Sequence, residues 1–165
     1  MRQPTTHWYV RPMDDLSALD ATGQAQLVAS GQASPAELVD AAIARIERLQ
    51  PELNVLVTEH FERAAQEARG DLPDGPFRGV PMLLKDLACH TAGDPMYEGM
   101  GFLRRVGWTE PEDAWLAARF RAAGFVICGR TNTPELGILP TTEPHAFDSP
   151  GPDPGCAPRL GCGRF

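Results

Sequence analysis

Lys85 ends the apolar run Val80-Pro81-Met82-Leu83-Leu84, and Asp86 follows it directly. A strand that opens into a long loop is where α/β sheets place functional groups. A lysine held in a dry place loses the solvation of its charged form, so its proton leaves more easily. Such an amine can serve as a general base, and a base of this kind needs a nucleophile to activate. A second reading stays open, in which Lys85 lays its stem along apolar surface or pairs with Asp86.

The other candidate group is Thr131-Asn132-Thr133, which follows a second apolar run, Phe125-Val126-Ile127-Cys128. Asn and Thr side chains there can bond backbone groups and hold a loop next to a site. Thr133 also reads as a helix cap, with Pro134 at the first helical position and Glu135 behind it. The two roles are compatible.

Other groups carry less. Gly99-Met100-Gly101 lacks the preceding strand and third glycine of a dinucleotide fingerprint. Cys89, Cys128, Cys156 and Cys162 contain no C-x-x-C pair. Cys89 and His90 are adjacent, and on a strand neighbouring side chains face opposite ways, so no metal site is expected. Ser149 sits among prolines rather than in a tight glycine turn and is not credited as a nucleophile.

The elements that must position these residues follow the grammar of an α/β fold. A short helix is expected from Asp20 to about Ala29, with Gly31 just past its end. A longer helix starts at Ser34, with Pro35 at the first position and Glu37 completing a capping box. Its apolar stripe is Leu38, Val39, Ala42, Ile43, Ile46 and Leu49, and it should end near Gln50-Pro51. A strand over 53–58, a helix over 61–68 stopped by Gly70, and a loop over 71–77 come next. The strand 80–84 leads into a long connection, 86–107, a length that itself hints at function. Thr109 with Glu112 suggests a capping box for a helix running to Ala123. Trp115, Leu116, Ala118 or the stem of Arg119, Phe120 and Ala123 would form its buried side. The strand 125–128 then lies parallel to 80–84, in a sheet covered on both faces.

Bulk properties narrow the function. The chain has 165 residues, 42% of them hydrophobic, enough for a core within one domain or part of one. Its net charge of −7 argues against nucleic acid and anionic membrane surfaces as partners. No apolar run approaches the roughly 18 residues of a membrane span, and no secretory signal is visible, so a cytoplasmic location is expected.

Three motifs occur together in order. They are G-V-P-x-L-L-K-D at 79–86, E-P-E-D-x-W-L-A-x-R-F-R-A-A-G-F-V at 110–126, and G-R-T-N-T-P-E-L-G-I-L-P-T-T-E-P at 129–144. In this the sequence resembles the amidase signature family over residues 14–147, and its general amidase branch more than the subunit of the tRNA-dependent amidotransferase. The resemblance implies an α/β domain with a mixed central sheet flanked by helices, of which this chain holds the N-terminal portion. It implies hydrolysis of a small-molecule amide by a Ser-Ser-Lys triad, with no metal or organic cofactor. Lys85 matches the family's catalytic lysine. In the family that lysine takes a proton from a bridging serine, which activates a nucleophilic serine. An acyl-enzyme forms, and water releases the acid.

The likeness stops after Phe147. Residues 148–165 read DSPGPDPGCAPRLGCGRF, with no hydrophobic period and no Gly-Gly-Ser-Ser-Gly-Gly-like stretch. A disordered tail is expected there, and an irregular leader over 1–13. A shifted reading frame or misplaced gene end explains the change better than a natural tail. The sequence therefore suggests a truncated amidase fragment that is inactive alone. Three alternatives are a non-catalytic binding fragment or partner of a full-length amidase, an amidotransferase A-subunit-like fragment, and an unstable partial product. The residues do not indicate an oligomeric state.

Overall fold

A computed structural model describes Leu16 and residues 18–147. The expected leader (1–13), the tail (148–165), Ser149, Cys156 and Cys162 lie outside the described residues. Among the described residues, eight regular elements follow in chain order: α1 (Ala21–Ala29), α2 (Pro35–Leu53), β1 (Leu56–Glu59), α3 (Phe61–Arg69), β2 (Pro81–Lys85), α4 (Gly101–Val106), α5 (Trp115–Ala122) and β3 (Val126–Thr131). Two 3-10 turns, Glu135–Gly137 and His145–Phe147, come last.

The strands form one mixed sheet in the order β1-β3-β2. β3 is central, antiparallel to β1 and parallel to β2, with α5 in the crossover. Val126, Cys128 and Arg130 alternate along β3, so they share one face. Val126 and Cys128 join Val39, Ala64, Ala68 and Leu72 in the core, flanked by Ala36, Ile43 and Leu83. α2 and α3 therefore cover this face. Each large apolar chain buried here contributes about 1.5–3 kcal/mol. Cys128 behaves as a small core residue, and burial pushes its thiol up to about 11.

Local signals place the helix starts. Asp20 accepts from the Gly23 N–H at 2.7 Å at the head of α1. The Ser34 capping box is complete: Glu37 N–H donates to Ser34 Oγ at 3.2 Å, and Ser34 N–H donates to Glu37 Oε2 at 2.7 Å. Gly79 (φ +81) turns the chain into β2 hard against Pro35. A Cβ there would lie 2.5 Å from the proline ring, so α2 and β2 meet only because residue 79 has none.

Several boundaries differ from expectation. α2 continues through Pro51 to Leu53, so Leu53 is helical and β1 begins at Leu56. Proline is tolerated because it falls in the last turn, where Asn54 (φ 46) already closes the helix through its N–H to the Gln50 carbonyl. Thr109 and Glu112 do not cap α5. Thr109 instead bridges to Pro95, Glu110 bridges to Ala92, and α5 starts at Trp115 with Ala114 ahead of it. Its buried residue is Ala117, while Trp115 (72% exposed) and Leu116 (45%) face outward. Ala117 is fully buried, and Phe120 meets Phe125, the residue ahead of β3, edge-on at 5.9 Å. The 86–107 connection contains α4, which its sequence did not announce.

Candidate active site

β2 and β3 run parallel and end together, with Lys85 directly opposite Thr131. The Asp86 N–H extends this pairing by donating to the Thr131 carbonyl at 2.9 Å. Lys85 and the start of the 131–133 segment thus open at the same end of the sheet. Asn132 continues the link toward β1, its N–H donating to the Val55 carbonyl at 2.7 Å. The Asn132 side chain accepts from the Thr133 N–H at 2.9 Å, which tightens the turn. Thr133 is buried, and its hydroxyl has no partner among the described residues. It does not cap the following turn, whose flanking residue is Pro134, with no side-chain bond.

The dry crevice expected around Lys85 is not present among the described residues. The amine is exposed, because β2 is an edge strand and Lys85 is its last residue. Nor does Lys85 pair with Asp86. Successive strand residues face opposite ways, and Asp86 turns inward, fully buried, to accept the Tyr97 N–H at 3.2 Å from both carboxylate oxygens. Burial pushes the Asp86 carboxyl up to about 6, against the Tyr97 hydrogen bond and the nearby Arg130 charge.

A buried charge network holds the segment that leaves Lys85. Arg130, 0% exposed, reaches from β3 under this loop. It donates to the Lys85 carbonyl (3.3 Å), the Cys89 carbonyl (2.9 Å) and Thr91 Oγ1 (3.0 Å). The Thr91 hydroxyl in turn donates to Asp94 at 2.6 Å. Arg63 of α3 grips Asp94 with two bonds of 2.7 and 2.9 Å, and His60 Nε2 lies 3.4 Å from the same carboxylate. Burial would raise the Asp94 carboxyl, but the Arg63 and Thr91 hydrogen bonds and the His60 charge outweigh it and hold the group at about 2. Burial draws His60 below its ordinary value, with Asp94 opposing. Removing one partner from such a network costs about 3–5 kcal/mol, since it strands the others.

Sequence reasoning did not single out Arg130, Asp94, Arg63, His60 or Thr91. The one local signal is an arginine ending the otherwise apolar stretch Phe125-Val126-Ile127-Cys128-Gly129-Arg130. A charge in that position must meet buried partners.

An open cavity of about 530 Å³ is lined by Gly99, Gly101, Arg104, Arg105, Glu135 and His145, with Ala146, and neither Lys85 nor residues 131–133 line it. Arg104 closes one wall by donating to the Ala146 carbonyl and lying over the Phe147 ring.

Comparison with known proteins fits this architecture. The profile of the family described as Amidase matches residues 37–152. A 6-aminohexanoate-cyclic-dimer hydrolase of Paenarthrobacter ureafaciens is 45% identical over 128 residues, covering 78% of this chain and 26% of its own length. A glutamyl-tRNA(Gln) amidotransferase subunit of Salinispora arenicola is 36% identical over 143 residues, covering 82% and 28%. A solved 6-aminohexanoate cyclic dimer hydrolase complexed with substrate superposes with a TM-score of 0.75 at 45% identity, over 81% of this chain and 27% of its own. The chain thus spans about a quarter of the length of the relatives it matches. With its motifs, its mixed sheet and these relatives in agreement, the chain belongs to the amidase signature family.

Proposed function

We propose that this chain carries the lysine side of an amide-hydrolysing site acting on a small-molecule carbon–nitrogen amide. Lys85 is the proton acceptor. Thr131, Asn132 and Thr133 hold the adjoining loop, and Arg130 positions the segment that leaves Lys85. The nucleophilic serine gives its hydroxyl proton to a bridging serine as that serine passes its own proton to the Lys85 amine, and the freed oxygen attacks the amide carbonyl. The carbon–nitrogen bond breaks, the amine leaves with a proton, and water then frees the acid from the acyl-enzyme. The serines are not among these 165 residues in any Gly/Ser-rich stretch, so the chain alone is expected to hydrolyse nothing measurable. The net charge of −7 argues against nucleic acid as the partner, and a cytoplasmic setting fits the same reading.

The observation that carries the proposal is the register of Lys85 opposite Thr131 at the ends of two parallel strands. The test is a chimera in which residues 18–147 replace their counterpart in the 45% identical hydrolase. The chimera should hydrolyse a cyclic or linear amide, and Lys85→Ala should lower kcat by at least about a thousandfold. Retention of kcat in the Lys85→Ala chimera would remove Lys85 from the chemistry.

A further inference from the structure

We propose that Asp86 is a positioning residue of the amide site, its carboxylate holding, through Glu98, the Glu135–Gly137 turn against the end of β2 that carries Lys85. This rests on the reading of Lys85 as the proton acceptor. Asp86 bonds in two directions. Its N–H donates to the Thr131 carbonyl at 2.9 Å, which joins the ends of β2 and β3. Its carboxylate, fully buried, accepts the Tyr97 N–H and the Glu98 N–H. The Glu98 carbonyl in turn accepts the Leu136 N–H at 2.9 Å. Gly99 tightens the same contact, since a Cβ there would lie 2.8 Å from the Glu135 nitrogen. On its other side the turn meets Leu87: a Cβ on Gly137 would lie 2.7 Å from the Leu87 side chain. The turn is thus held by the two residues that directly follow Lys85.

Backbone strain marks the same place. Among the described residues, three of the four non-glycine residues with positive φ are Ala88 (φ 58), directly after Leu87, then Glu98 (φ 50) and Leu136 (φ 52). Left-handed backbone at such residues is costly and persists where the surrounding contacts over-determine it. The Glu98–Leu136 bond ties two of them together, and the Asp86 carboxylate fixes the first. A carboxylate does this where an amide does not. Its two oxygens serve two N–H donors, whereas asparagine keeps one oxygen for Tyr97 and turns its NH2 toward the second N–H. The charge is costly here: burial first, and then the Glu98 charge, raise the carboxyl to about 6 against the two N–H bonds and Arg130. A stability cost of this kind is the usual companion of a working site.

The experiment uses Asp86→Asn, first in the full 165-residue chain and then in the chimera with the 45% identical hydrolase. In the chain at pH 7.5, hydrogen exchange of the Leu136 amide should quicken by at least about tenfold. Val126, whose N–H donates to the Val80 carbonyl, should exchange no faster. In the chimera kcat should fall by at least about tenfold, with KM unchanged and the thermal midpoint no lower than the parent's. A merely structural Asp86 would lower activity and midpoint together. The gap in kcat between parent and variant should close as pH drops below about 6, where the parent carboxyl takes up its proton. Leu136 exchange indifferent to Asp86, an unchanged kcat, or a loss of kcat matched by a lowered midpoint would overturn the proposal. Exchange needs no turnover, so it decides the link from Asp86 to Leu136 even where Lys85→Ala retains kcat and the amide-site reading fails. Should Asp86→Asn not fold, Gly99→Ala reaches the same turn with Asp86 intact. It should reproduce the faster Leu136 exchange and the loss of kcat, and a Gly99→Ala protein with neither overturns the link.

Discussion

Asp86 and Lys85 are neighbours with opposite surroundings, and the buried one makes the fold sensitive to pH. The Asp86 carboxyl is raised from 3.8 to about 6, first by burial. The folded state therefore favours the protonated acid. That contribution to stability is complete below about pH 3.8 and is lost as pH rises through about 6. Asp94 runs the other way. Held at about 2, it contributes fully above about pH 4, and this is lost as pH falls toward 2. His60, lowered from 6.5 chiefly by burial, contributes above that value and loses its contribution as pH falls. Asp86→Asn keeps an acceptor for Tyr97 and removes the titration. Urea unfolding from pH 4 to 7.5 should show the variant gaining on the parent as pH rises, by on the order of 2–3 kcal/mol. Parallel curves would mean that Asp86 is not the group that titrates. None of this was legible in the sequence, where Lys85 was expected to be the dry residue of the pair. Burial at 85 and 86 depends on which side of an edge strand has a neighbour, and spacing along one strand does not encode that.

The elements divide along the same line between local and distant causes. α2 was legible at its start because Ser34, Pro35 and Glu37 form the cap within four residues. The α5 start was not, because Thr109 is drawn into a bridge with Pro95, which lies across the connection. Arg130 was visible only as an oddity, since its meaning comes from Asp94 and Arg63, placed by a different loop and helix. The end of α2 was also hidden, and Gln50 explains it. The Gln50 side chain accepts from the Val55 N–H and the Leu56 N–H at 2.9 Å each and donates to the Leu56 carbonyl at 3.0 Å. One side chain thus satisfies three backbone groups where the helix hands over to β1, and Pro51 can sit in the last turn without loosening it. Gln50→Leu strands all three groups and should cost about 2–3 kcal/mol in denaturant unfolding. Gln50→Glu keeps both accepting contacts, loses only the donated one, and should fall between the two. Equal losses for Leu and Glu would assign the effect to packing.

At the scale of the whole molecule, a three-stranded sheet with one well-filled face coexists with a second surface rich in apolar chains. Phe102, Ile138 and Leu139 are more than half exposed while Val39, Val126 and Cys128 are at or below 1%. The two sets must therefore respond differently to substitution. A side chain such as Ile138, 75% exposed, keeps only a small fraction of the roughly 2–3 kcal/mol that full burial of an isoleucine supplies. Replacing it by serine forfeits about 0.5 kcal/mol, within the ordinary range of surface changes. The same replacement removes exposed apolar area of the kind that promotes non-specific association at high concentration. Phe102→Ser, Ile138→Ser and Leu139→Ser combined should leave the thermal midpoint within a few degrees and raise the concentration at which light scattering first detects association. Val39→Ala, in contrast, opens a cavity under β3 and should lower the midpoint clearly. A triple variant that melts as early as the Val39 variant would show that the outer chains are covered in solution. The stability of the chain would then come from both surfaces, not from the α2–α3–β3 core alone.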